Sequence, residues 1–128
     1  MKHTIALLAL ILSITACTPS MAPESQQVKT EQYFGRSSTS GDITDAQWEQ
    51  FRDEVLKEKF SGYTELDADG YWTGTNNESV SEKSKVIIYL HENRAEENAK
   101  IDSVKSAYKT QFDQESVLEI STIVEAEF

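Results

Sequence analysis

Apolar and polar positions divide the chain into three parts. Ile5 to Leu12 is an unbroken apolar octet behind Met1-Lys2-His3, and small residues follow it up to Ala16-Cys17. Thr18 to Thr30 carries only two large apolar side chains, with Pro19 and Pro23. From Gln32 onward, short apolar runs recur at helical or strand spacing.

Gln32-Tyr33-Phe34-Gly35-Arg36 predicts a first strand, and Ser37 to Asp42 a polar turn. A helix follows. Thr44 and Gln47 have capping-box spacing, Ile43 and Trp48 sit as a hydrophobic staple, and Trp48, Phe51, Val55 and Leu56 form its apolar face before Gly62 stops it. Tyr63–Leu66 and Gly70–Thr73 read as a bent strand or small hairpin about Asp67-Ala68-Asp69. Val86–Leu90, apolar on both faces, predicts a central strand. A second helix is expected over Ala95–Phe112, with Ile101, Val104, Tyr108 and Phe112 inward and Glu96-Glu97 at the end of the helix dipole that favours acids. Leu118 to Phe128 alternates as a half-buried strand, broken at Thr122.

The order β, α, β, β, α, β predicts an α+β fold, a two-layer ferredoxin-like (βαββαβ) sandwich with both helices on one face of the sheet. Another two-layer α+β sandwich is the alternative. The crossover rule then sets the first strand and the Val86 strand in the middle, side by side and parallel. Phe34, Val86, Ile88, Leu90, Leu118 and Ile120 are assigned to the helix side. Tyr33, Gly35, Ile87, Tyr89, His91, Val117, Glu119 and Ser121 are assigned to the open face, a set too apolar for plain solvent surface. Of these, Tyr33, Gly35, Ile87, Tyr89 and Glu119 are the candidate interface, for a homodimer or an envelope protein partner.

Twelve Lys and Arg against 22 Asp and Glu give a net charge of −10 and no basic stripe, which disfavours nucleic acid and anionic lipid surfaces. The leader has the layout of a secretory signal, and its octet is too short to cross a bilayer core of roughly 30 Å as a helix. Ile14-Thr15-Ala16-Cys17 resembles the bacterial lipobox. The expected organisation is a signal peptide over 1–16, a lipidated Cys17 and unstructured tether over 17–30, and a single domain over 31–128. Soluble export is the alternative. Cys17 is the only cysteine, so no intrachain disulfide forms. A lipid there anchors the protein in a membrane, the outer one facing the periplasm in a Gram-negative host, since Thr18 stands where the inner-membrane retention signal has aspartate.

Tyr33-Phe34-Gly35-Arg36, Trp48 with Phe51, Phe60-x-Gly62-x-Thr64, Gly70-x-Trp72, Glu82, and Tyr108-Lys109 with Phe112-Asp113-Gln114-Glu115-Ser116-Val117-Leu118 come in an order that resembles the bacterial domain-of-unknown-function family 3574. The likeness runs from about Gln32 to Phe128. It implies a small exported or lipoprotein α+β domain and supplies no reaction.

Five glycines form neither a P-loop nor a dinucleotide fingerprint. Past the leader, His91 is the only imidazole, so neither a Cys/His zinc site nor any other metal site or cofactor is expected. A strand-end histidine exposed to solvent is its plain reading. Asp67-x-Asp69-Gly70 lacks the EF-hand ligand spacing and reads as turn chemistry. Arg36, Glu82 and Glu115 lie at expected strand ends, either as a structural salt bridge or, with His91 and Gln114, as a polar ligand site. Two roles follow: a non-catalytic binding domain in the cell envelope, or a small enzyme around Arg36, Glu82, His91 and Glu115, completed across a dimer.

Overall fold

The computed structural model describes residues 26–38, 41–73 and 76–128. The expected signal peptide, Cys17 and most of the tether lie outside these residues. The elements are β1 (Gln27–Gly35), a two-residue ribbon β2 (Ser37–Ser38) and β3 (Gly41–Asp42), α1 (Asp45–Phe51), β4 (Thr64–Thr73), β5 (Ser79–Glu92), α2 (Ala95–Phe112) and β6 (Leu118–Val124). Four strands make one sheet in the order β4-β5-β1-β6, with every neighbouring pair antiparallel.

The expected parallel pairing of the two central strands is therefore corrected. β4 runs parallel to β1, and the β4–β5 hairpin reverses the chain, so β5 enters between them antiparallel to both. That hairpin is longer than expected. β4 continues unbroken through Asp67-Ala68-Asp69, and Gly70 sits in the ladder opposite Glu82 instead of forming a turn. At the other end, β1 begins at Gln27 and buries Val28 and Thr30, which draws these residues out of the expected tether into the domain.

Thr44 caps α1 with both halves of the capping box formed, and Ile43 and Trp48 are buried as the staple requires. The helix continues through a π-helical turn (Arg52–Leu56) and a last α turn (Lys57–Lys59). The wider turn explains the burial pattern: after Phe51 the next fully buried residue is Leu56, while Val55, in α register, stays half-buried. α2 has the expected bounds and buries the expected four residues. It ends at Asp113, a non-glycine residue in the left-handed conformation (φ 52°) whose N–H returns to Lys109 O.

Both helices lie on the face of β1 that carries Phe34. Its ring packs 5.5 Å from Trp48 and 6.2 Å from Phe51 on the α1 side, and 4.8 Å from Tyr108 on α2. Truncating Phe34 to alanine would cost about 3–5 kcal/mol, as such aromatic losses do.

The facing of β5 and β6 is the main correction. Gln32 pairs with Ile87, Thr30 with Tyr89 and Val28 with His91, so Ile87, Tyr89 and His91 lie beneath the helices and are buried. Val117 is buried in the same core. Glu119 and Ser121 also turn inward, bonded to Gln32 and Thr30. Val86, Ile88, Leu90, Leu118 and Ile120 take the open face with Tyr33 and Gly35. The reason is physical. Val86–Leu90 is apolar at every position and carries no facing signal, while inward Thr30 and Gln32 need polar partners, which Tyr89 and His91 on β5 and Glu119 and Ser121 on β6 supply.

Candidate functional site

The polar row under α2 is continuous. Tyr89 OH donates to Gln32 Oε1 (3.0 Å), and Gln32 Nε2 donates to Ile101 O (3.1 Å) and Glu119 Oε2 (2.9 Å). Lys105 Nζ reaches the same carboxylate oxygen at 3.0 Å, and that contact holds the ammonium above its ordinary pKa. Beside it, Thr30 Oγ1 bridges His91 Nε2 (2.9 Å) and Ser121 Oγ (2.8 Å). His91 is 7% exposed, so the solvent-exposed reading of this histidine is corrected. Burial pushes the Tyr89 and Tyr108 hydroxyls far above the usual tyrosine range. These groups satisfy one another and pin the register of three strands.

The expected polar group divides. His91 pairs with Val28, eight positions before Arg36 on the same strand path, so the two stand roughly 25 Å apart at about 3.3 Å per residue. Arg36 bonds neither Glu82 nor Glu115. Its Nε and Nη2 fork onto Ile43 O (3.0 and 2.6 Å), and Nη1 meets Asp45 at 2.6 Å, fixing the start of α1. The expected salt bridge of Arg36 with Glu82 or Glu115 is therefore corrected to one with Asp45.

Glu82, Gln114 and Glu115 do come together, with Tyr33 and Gly35, at one end of the open face. They line a shallow groove of about 840 Å³ shared with Trp72 and Leu118. Gln114 Nε2 donates to Ser37 O (2.8 Å), which holds the turn after α2 over the end of β1 as one wall. The floor depends on glycine. A Cβ on Gly35 would fall 2.7 Å from Glu82 Cδ, because the Glu82 side chain crosses from β5 into that space and accepts the Ser37 N–H at 2.9 Å. Trp72 was missed as a site residue. Its Gly70-x-Trp72 spacing placed it in a strand, but only the register, with Trp72 opposite Val80, shows its face.

Beyond the groove the open face is apolar. Leu66 is 48% exposed and Ile120 44%. Its charged strand residues are Lys29 and Glu31, ion-paired at 3.1 Å, and Glu92, which pairs with Arg94 at the far end. Among the described residues no helix is long and apolar enough to cross a membrane, and no three His, Cys, Asp or Glu side chains converge to hold a metal ion.

A family model described as "Protein of unknown function (DUF3574)" matches residues 29–128. No curated relative matches. Among solved structures, a phage SAM lyase in complex with S-methyl-5'-thioadenosine superposes with a TM-score of 0.60 at 15% identity, covering 83% of this chain and 88% of that one. The same lyase in its apo state gives 0.58, also at 15%. CutA from Synechococcus elongatus PCC7942 gives 0.51 at 6% identity, covering 79% of each chain. At these identities the likeness is one of fold.

Proposed function

As the chain belongs to the DUF3574 family, proteins of unknown function, we propose its role from its own surface: a non-catalytic binding domain of the cell envelope, held to a membrane through lipid on Cys17, whose open sheet face pairs with a second copy of the chain. In this reading the fold is ferredoxin-like, and its strand order and one-sided helix layer are the support for that name. The chain's leader and lone cysteine support export and lipidation.

The observation that carries the pairing is the uncovered set of Leu66, Leu118 and Ile120 around the mutually neutralised Lys29–Glu31 pair, with the carboxylates of Glu82 and Glu92 kept to the two ends of the face, in a chain of net charge −10. Two such faces can meet without bringing the acidic surfaces together. The size also fits. Four strands about 4.8 Å apart, with nine residues of β1 rising about 3.4 Å each, give a projected face of roughly 600 Å². Accessible area exceeds projection, so this approaches the roughly 800 Å² per partner of a standard interface.

The test is light scattering after size exclusion on residues 17–128 carrying Cys17→Ser, which removes any intermolecular disulfide. Twice the chain mass is expected, falling to one chain mass in Ile120→Glu with an unchanged circular dichroism spectrum. A monomeric parent, or an Ile120→Glu protein that stays dimeric, would refute the pairing.

A further inference from the structure

We infer that the groove at the Gly35 end of the open face is a binding site for a small organic cation with a methylated, apolar body, of the quaternary ammonium class. This deepens the reading of the open face as a binding surface and rests on it. Three features of the groove converge on that chemistry.

The first is charge in a shaped place. The Glu82 carboxylate is seated in the notch left by Gly35 and held there by the Ser37 N–H, so it enters the groove already oriented. Asp113 and Glu115 stand on the opposite wall, and no lysine or arginine lines the groove. Phosphates, carboxylates and nucleotides would meet only repulsion there. The second is an aromatic wall. The half-exposed Trp72 borders the same space and leans over Gly70, its Cζ3 4.0 Å from where a Gly70 Cβ would stand, and Gly70 pairs with Glu82, so an indole that attracts a weakly hydrated cation lies beside the carboxylate. A bare metal ion has no use for such a wall, and no three ligating side chains among the described residues approach closely enough to coordinate one. The third is the floor, where Gly70 and Ser84, on either side of Glu82 in the ladder, leave depth for a methylated head group between Trp72 and the Glu82 carboxylate. The volume, about 840 Å³, is in the range of small-molecule sites.

The experiment is titration of the same residues 17–128, Cys17→Ser, with choline, followed by calorimetry and tryptophan fluorescence. Trp48 is fully buried and Trp72 half-exposed, so a fluorescence change reports the groove. The comparison probe is 3,3-dimethylbutan-1-ol, the same shape without the charge. Saturable choline binding at least about tenfold tighter than the neutral probe is expected. Glu82→Gln, Trp72→Ala and Gly35→Ala should each weaken it by about tenfold or more, the last by displacing Glu82 from its notch. Absence of saturation, equal binding of the neutral probe, or full binding by folded Glu82→Gln would overturn the assignment. Competition by calcium that survives Trp72→Ala would overturn it in favour of a metal site. Repeating the titration on the Ile120→Glu protein separates the two readings. Choline binding by a monomeric parent refutes only the pairing, and a dimeric parent whose monomeric Ile120→Glu form also ignores choline refutes only the cation site.

Discussion

Gln32 has no solvent exposure, sits mid-strand in the centre of the sheet, and joins β5, β6 and α2 through its one amide. Changing it to leucine keeps the volume and strands the Tyr89 hydroxyl, which is 1% exposed and has Gln32 Oε1 as its partner. An unpaired buried donor costs about 1–3 kcal/mol. Tyr89→Phe makes the reciprocal loss by leaving Gln32 Oε1 without its donor, at a similar cost of about 1–3 kcal/mol. Glu119 keeps Lys105, so it contributes little to either change. In Gln32→Leu/Tyr89→Phe both partners are apolar and neither is orphaned. The double variant should therefore be less destabilised than the sum of the singles by about 1–2 kcal/mol. Urea unfolding of the four proteins, with equal m-values, measures this coupling directly. In a domain of this size it corresponds to a melting temperature roughly 4–16 °C above the additive expectation. Strictly additive single changes would refute the claim that these two groups satisfy each other.

Two further outcomes follow from the same polar and ionic contacts. Burial raises the Tyr89 and Tyr108 pKa values, so their contribution to stability is complete below the unfolded tyrosine value of about 10 and is lost as pH rises above it. Ultraviolet titration should show Tyr89 and Tyr108 ionising only as circular dichroism reports unfolding; ionisation of both in a still-folded protein would contradict it. Arg36→Lys should remove the fork onto Ile43 O and lower stability by about 1 kcal/mol, read by urea unfolding, while leaving choline binding unchanged. A loss of binding there would move Arg36 back into the ligand site.

The helices were legible because their signals are local. Thr44 with Gln47 announces one start, and Ile101, Val104, Tyr108 and Phe112 mark a face by spacing alone. The π turn was not, since nothing in Arg52–Leu56 distinguishes an α from a wider turn until Leu56 is seen filling the core. Strand facing failed at β5 for a related reason. Where every position from Val86 to Leu90 is apolar, the face is decided by the partner strand, and β1 presents its polar Thr30 and Gln32 inward against the ordinary expectation. Glu82, Gln114 and Glu115 line one groove, a juxtaposition that the fold makes and their motif positions alone did not, and Trp72 entered by register. His91 and Arg36 were separated because strand ends lie at two ends of a sheet, a distinction a linear pattern does not carry.

The position of β1 also bears on how the domain reaches its fold. Its two neighbours come late: Thr30 meets Tyr89 on one side and Ser121 on the other. The strand that begins the domain is thus an edge with nothing to pair until most of the chain has been synthesised, and it stays an edge until β6 docks. High sequence separation of this kind slows folding and delays cooperative closure. A nascent chain stopped before Leu118 would retain the β4–β5 hairpin, whose partners are close in sequence, but not an enclosed central strand. Pulse-labelled hydrogen exchange should accordingly find the β1 amides that pair with β6 protected last, after those of the hairpin, so that the first strand made is the last one secured.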